Sequence, residues 1–158
     1  MEAYARYGPA LLRKARRILQ NEEDARDVVQ VVFAELIQRR EQEVSLSYLF
    51  RAVTTRCCSL LRDEANRRRL LELQAEALRG PVRTLLDERT ITLDLLTRAA
   101  RELESDALAL IIYRYLDDMT LEEISALVGS TRKTVKKRLD AAARVCRRLI
   151  DEHGGPHV

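Results

Sequence analysis

The stretch TLEEISALVGSTRKTVKKRLDAAARVCRR, Thr120 to Arg148, reads as two helices joined by a tight turn. Thr120 and Glu123 fit a capping box, in which the Thr hydroxyl takes the amide N–H three residues on and the Glu carboxylate reaches back to the Thr amide. Leu121, Ile124, Leu127 and Val128 give the first helix an apolar side, and Gly129 stands where a left-handed residue ends it. Thr131 can cap the second helix. On that helix Val135, Leu139, Ala142, Cys146 and Leu149 recur at three- and four-residue steps, so Arg132, Lys133, Lys136 and Lys137 point away from the core. This is the geometry of a helix-turn-helix, whose second helix enters the major groove. Arg132 and Lys133, in the first turn, are placed to reach base edges, whereas Arg144, Arg147 and Arg148 lie further along and suit phosphate or solvent.

Net charge is only +3, which does not by itself imply a nucleic-acid partner. Its distribution says more. From Val128 to Ile150 the basic residues are Arg132, Lys133, Lys136, Lys137, Arg138, Arg144, Arg147 and Arg148, against the single acid Asp140. With 46% hydrophobic and 34% charged residues, the 158-residue chain is too apolar for disorder and too charged for a membrane protein. No apolar run approaches the roughly 20 residues that a membrane span needs, and Met1 to Tyr7 lacks a signal peptide's pattern, so the expected compartment is the cytoplasm. Cys57, Cys58 and Cys146 make no metal-binding spacing and are expected to be reduced packing residues. His153 and His157 sit at or in a Gly-Gly-Pro tail. Neither a catalytic site, a metal site nor a cofactor is expected, because no phosphate-cradling Gly loop or nucleophile motif is present.

Helical periodicity recurs upstream, and no stretch alternates as a half-buried strand would, so the fold class is all-α. Tyr4, Tyr7, Leu11, Leu12, Ala15, Ile18 and Leu19 mark a first helix that stops near Gln20. Asn21 caps a second, with Val28, Val29, Val32, Phe33, Leu36 and Ile37 as its buried face. A third begins near Ser45 or Ser47 and runs to Arg69, with Tyr48 and Phe50 expected in its core stripe. Gly80-Pro81 marks a linker. Beyond it Leu93, Leu96, Ala99, Ala100 and Leu103 form another stripe, and Ser105 is expected to cap a helix carrying Leu108, Ile111, Ile112 and Tyr115. The expected organisation is two small helical domains, residues 1–69 and 91–150, joined by a linker at 70–90 and followed by a flexible tail at 151–158, with the helix-turn-helix in the second domain.

Two sets of residues resemble one family in the same order. Tyr113 to Gly129 with Thr134 to Leu139 resembles region 4 of bacterial sigma factors of the extracytoplasmic-function group in the sigma-70 family. Tyr7-Gly-Pro-Ala-Leu-Leu, Asp24-Ala-Arg-Asp-Val-Val-Gln30 with Val32-Phe33, Tyr48-Leu-Phe-Arg51 and Leu60-Leu-Arg62 resemble its region 2. The resemblance implies a transcription initiation factor, not an enzyme, that recruits RNA polymerase core to promoter DNA. It implies that Asp27 and Gln30 lie on the polymerase-binding helix, and that Arg51, Arg56 and Arg62 lie near melted minus-ten DNA. It also implies that Arg132, Lys133, Lys136, Lys137 and Arg138 read the minus-thirty-five element, and that an anti-sigma protein is a candidate partner. Arg26 and Val31 stand where that family commonly has Glu, and Ser130 replaces its usual apolar turn residue. The rival readings are a sigma-derived DNA-binding regulator without polymerase recruitment and a helical adaptor for another protein.

Overall fold

A computed structural model describes residues 2–40, 44–75 and 88–153. Gly80-Pro81, the greater part of the expected linker and residues 154–158 of the expected tail lie outside them. The elements are α1 (Glu2–Leu19), α2 (Glu22–Arg39), α3 (Leu46–Ala75), α4 (Glu88–Glu102), α5 (Ser105–Ile111), α6 (Leu121–Val128) and α7 (Arg132–His153). Among the described residues there is no strand, and no helix is long and apolar enough to cross a membrane.

Local chemistry places most boundaries. Gln20, at φ 51°, breaks α1, and Asn21 Oδ1 accepts the Asp24 N–H at 2.9 Å to start α2. The acids Glu22, Glu23 and Asp24 fill its first turn, where the helix dipole favours them. Arg40, in the left-handed region, closes it. The third helix runs six residues beyond the expected stop at Arg69, to Ala75. Nothing between Arg69 and Ala75 is a helix breaker, and Glu64 forks onto Arg67 and Arg68 one turn on, which supports the continuation.

The first three helices pack on one another, and α4, α5 and α6 gather round α7. The third helix is the shared wall, since its far side carries α4 and α5. One apolar cluster therefore runs from Leu11, Ile18 and Val28 through Leu49, Val53 and Cys57 to Leu96, Leu108, Ile124 and Val135. The two halves are packed together across a common core.

Four expectations about single residues change. Ser105 does not cap α5: the cap position is Glu104, without a side-chain cap bond, and the Ser105 hydroxyl instead accepts from Arg62 at 2.9 Å. Tyr115 does not lie in the buried stripe. The helix widens into a π turn at Ile112–Leu116, closed by the Asp117 N–H on Ile112 O at 3.0 Å. That wider turn slips the helical register, so Tyr113 is 2% exposed and Tyr115 59%. Tyr48 is also outside the core, with its hydroxyl facing Arg39, while Leu49 takes the buried position. Ile37, likewise expected inside, lies at the exposed end of α2.

Candidate nucleic-acid interface

The turn that aims α7 is held by side-chain hydrogen bonds of Thr120, Glu123, Ser125 and Thr131. Thr120 Oγ1 accepts the Glu123 N–H at 3.1 Å and Glu123 Oε1 accepts the Thr120 N–H at 3.0 Å, a complete capping box. These bonds to the ionised carboxylate hold the Glu123 carboxyl below its ordinary range. Gly129 sits at φ 69°, a left-handed conformation that costs any L side chain, with its N–H on Ser125 O at 3.0 Å. Ser125 spans the turn twice, its hydroxyl donating to Ser130 O and its carbonyl accepting the Ser130 N–H at 3.3 Å. Ser130 thus serves the turn through its backbone, which explains how a polar residue is tolerated there. Thr131 Oγ1 then accepts the Thr134 N–H at 3.2 Å to start α7.

Val135, Leu139, Ala142, Cys146 and Leu149 are buried, which fixes the rotation of α7. Arg132, Lys133, Lys136, Lys137 and Arg138 are all exposed on the opposite side. Among the described residues two are held by ion pairs: Arg132 reaches Glu122 at 3.3 Å and Lys136 reaches Asp140 at 3.1 Å, both in solvent, where such pairs hold weakly. Lys133, Lys137 and Arg138 make no ion pair among the described residues. Further along, Arg148 is bridged to Glu102 and Glu152, so it is more encumbered than the cations near the turn.

The first half distributes its cations differently. Asp27 and Gln30 are exposed on α2 and line one cleft with Val31, Ala34 and Arg56. Arg56 therefore stands beside the residues expected to meet polymerase. Arg51 is exposed as well, on another face of α3: at about 100° per residue it lies roughly 140° from Arg56 and within about 20° of Arg62. Arg62 has a different occupation. Its guanidinium donates to Leu103 O at 2.7 Å, Ser105 Oγ at 2.9 Å and Ala100 O at 3.3 Å, tying α3 to the turn between α4 and α5. In this packing Arg62 is not offered to DNA, and nothing local in the sequence announces the carbonyls that hold it.

One buried group had no sequence signal. Lys14, in the middle of α1, is 1% exposed. Its Nζ meets Asp117 Oδ2 at 2.5 Å and lies 3.7 Å from the Phe50 ring centroid. Phe50 in turn stacks on Tyr113 with centroids 5.9 Å apart. Burial lowers the Lys14 pKa from 10.5, and the charge and hydrogen bond of Asp117 work against that shift. Arg17 adds a second cation on Asp117 Oδ1 at 3.2 Å. The thiols of Cys57 and Cys58 are pushed up to about 12, first by burial, so they behave as packing groups. No group of His, Cys, Asp and Glu among the described residues could hold a metal ion.

Comparison with known proteins finds two matched segments. Residues 3–67 match Sigma-70 region 2, and residues 93–146 match Sigma-70, region 4. In solved structures, the chain is similar to the sigma factor RpoE of Bartonella quintana, determined in complex with the anti-sigma factor NepR. That likeness covers 95% of both chains at a TM-score of 0.50 and 18% identity, and so speaks for the fold. No curated protein matches the sequence.

Proposed function

Because this chain belongs to the sigma-70 family, we propose that it is of the extracytoplasmic-function group and that its two helical halves divide promoter recognition between them along the lines of exposed charge just described. It is a sigma factor acting in transcription initiation, with RNA polymerase core and promoter DNA as its partners. The finer assignment is our reading. Residues 91–150 bind the minus-thirty-five element through α7, with Arg132 and Lys133 at base edges and Lys136, Lys137 and Arg138 on phosphates. Residues 1–69 bind polymerase through Asp27 and Gln30, with Arg56 in the same cleft. Arg51 and, once released from α4, Arg62 meet the melted minus-ten strand, whose backbone cations would hold.

The observation that carries this reading is the exposed, largely unpaired basic end of α7, set on a turn whose hydrogen bonds fix its direction. Work is done by binding energy, and no catalytic residue is assigned. The setting is the cytoplasm, where polymerase and DNA are found. An anti-sigma protein that covers the α2 cleft is the natural regulator in this scheme. Run-off transcription with purified core polymerase on a genomic fragment library tests the whole. New promoter-dependent transcripts are expected, and DNA retention without any transcript would favour a regulator that has lost polymerase contact.

A further inference from the structure

The face that α7 turns away from the core carries one group of the wrong sign for a phosphate. At about 100° per residue, the buried Val135, Leu139, Ala142, Cys146 and Leu149 centre on one side of the helix, and Lys133, Lys137, Asp140 and Arg144 fall within about 40° of the opposite direction. Asp140 therefore stands inside the basic stripe, the single acid between Val128 and Ile150. Its side chain is 51% exposed. Its Oδ2 accepts from Lys136 Nζ at 3.1 Å, and Oδ1 takes no hydrogen bond among the described residues. Helix stability does not account for an acid here. The pair runs from cation to acid along the chain, the less favourable order at a spacing of four, and it lies in solvent, so it adds little. An acid among cations that grip phosphates also subtracts from general affinity for DNA. What it can supply is discrimination between sequences.

We propose that Asp140 is a specificity-determining residue, whose carboxylate accepts a hydrogen bond from the exocyclic amine of a cytosine in the major groove of the minus-thirty-five element. The proposal rests on the reading of α7 given above, in which Lys136 turns to a phosphate. That turn leaves Asp140 without its partner in a groove that is losing water, where an unpaired carboxylate is costly until it finds a donor. A carboxylate can only accept. Guanine and thymine present acceptors at the major-groove edge, and adenine sets its N7 acceptor beside its amine, whereas cytosine presents a donor alone. Cytosine is the base that fits. Asp140 lies eight residues beyond Arg132, roughly 12 Å along the helix axis, or about three to four base steps at 3.4 Å each. The cytosine therefore lies in the same stretch of groove as the bases met by Arg132 and Lys133.

Selection from a duplex library randomised over the bound segment tests this, using the full chain, free and bound to core polymerase, as wild type, Asp140→Ala and Asp140→Asn. The wild type should enrich cytosine at one position by about tenfold, the discrimination of one good contact to a base edge. Asp140→Ala should lose that preference and keep the rest of the motif. It should also bind unselected DNA more tightly, with a salt slope steeper by up to about 0.9, since Lys136 is relieved of its counter-charge. Asp140→Asn, which sets an amide donor beside its acceptor, should move the preference at the same position toward adenine. Alanine is a strong helix former at an exposed position, so far-UV circular dichroism should show wild-type helix content for Asp140→Ala. A motif unchanged in both variants would overturn the proposal and reduce Asp140 to a counter-charge for Lys136. A wild type that selects no sequence, even with polymerase, would instead sink the promoter reading of α7 and this proposal with it.

Discussion

The cations of α7 and those of α1 and α3 are alike in sequence and opposite in use. Lys133 and Lys137 stand in solvent without a carboxylate partner among the described residues, whereas Lys14 is sealed against Asp117 and two aromatic rings, and Arg62 is spread over three oxygens of the other half. A count of basic residues treats them as equal. Their environments divide them into groups that hold the protein and groups that are free to hold something else.

This difference is sharpest in alkali. Cys57 and Cys58 keep their protons to about pH 12 in the folded chain, as does Tyr113, while the unfolded chain loses its thiol protons near pH 9. Between those values the unfolded state binds fewer protons than the folded state, so stability falls as pH rises. Lys14 works the other way, because its lowered pKa adds stability between its folded value and 10.5, but it is one group against three. Thermal melts should therefore show a steady loss of stability above pH 9. Cys57→Ala with Cys58→Ala should flatten that slope. A melting temperature unchanged between pH 8 and 11 would show that the interior is less sealed than described.

Single substitutions separate the two kinds of cation further. Arg62→Ala leaves carbonyls of Ala100 and Leu103 short of a charged donor and should cost about 2 to 3 kcal/mol in urea unfolding. Gly129→Ala forces an L side chain into the left-handed region and should cost about 1 to 2 kcal/mol, although no atom lies within 4 Å of the added carbon. Thr120→Ala removes half the capping box and should cost about 1 kcal/mol. Lys137→Ala, at the free end of the scale, should change stability by less than about 0.5 kcal/mol. If Lys137→Ala proved as costly as Arg62→Ala, the division would fail.

How much of this was legible beforehand follows the same line. The helices, the Asn21 cap, the Thr120–Glu123 box and the Gly129 turn were readable because each is settled within four residues, by periodicity or by a local side-chain bond. The exposed face of α7 was readable because five buried residues fix its rotation. Lys14 and Arg62 were not. Their partners lie 103 and about 40 residues away, and no local pattern distinguishes a solvated cation from a sealed one. Tyr115 was misplaced by the π turn, which shifts the register without a Pro or Gly to announce it. Ser105 has the right chemistry for a cap, and only the approach of Arg62 from the third helix shows why its hydroxyl is engaged elsewhere.

The claim on which the functional account turns is that the α7 cations grip DNA. It is tested most directly by a salt titration of duplex binding, comparing the wild type with a variant in which Arg132, Lys133, Lys136 and Lys137 are alanine. The wild type should lose affinity linearly on logarithmic axes, by about 0.9 in slope per neutralised phosphate, and the variant should bind about a hundredfold more weakly with a shallower slope. Equal affinity and equal slope for the two proteins would contradict the account.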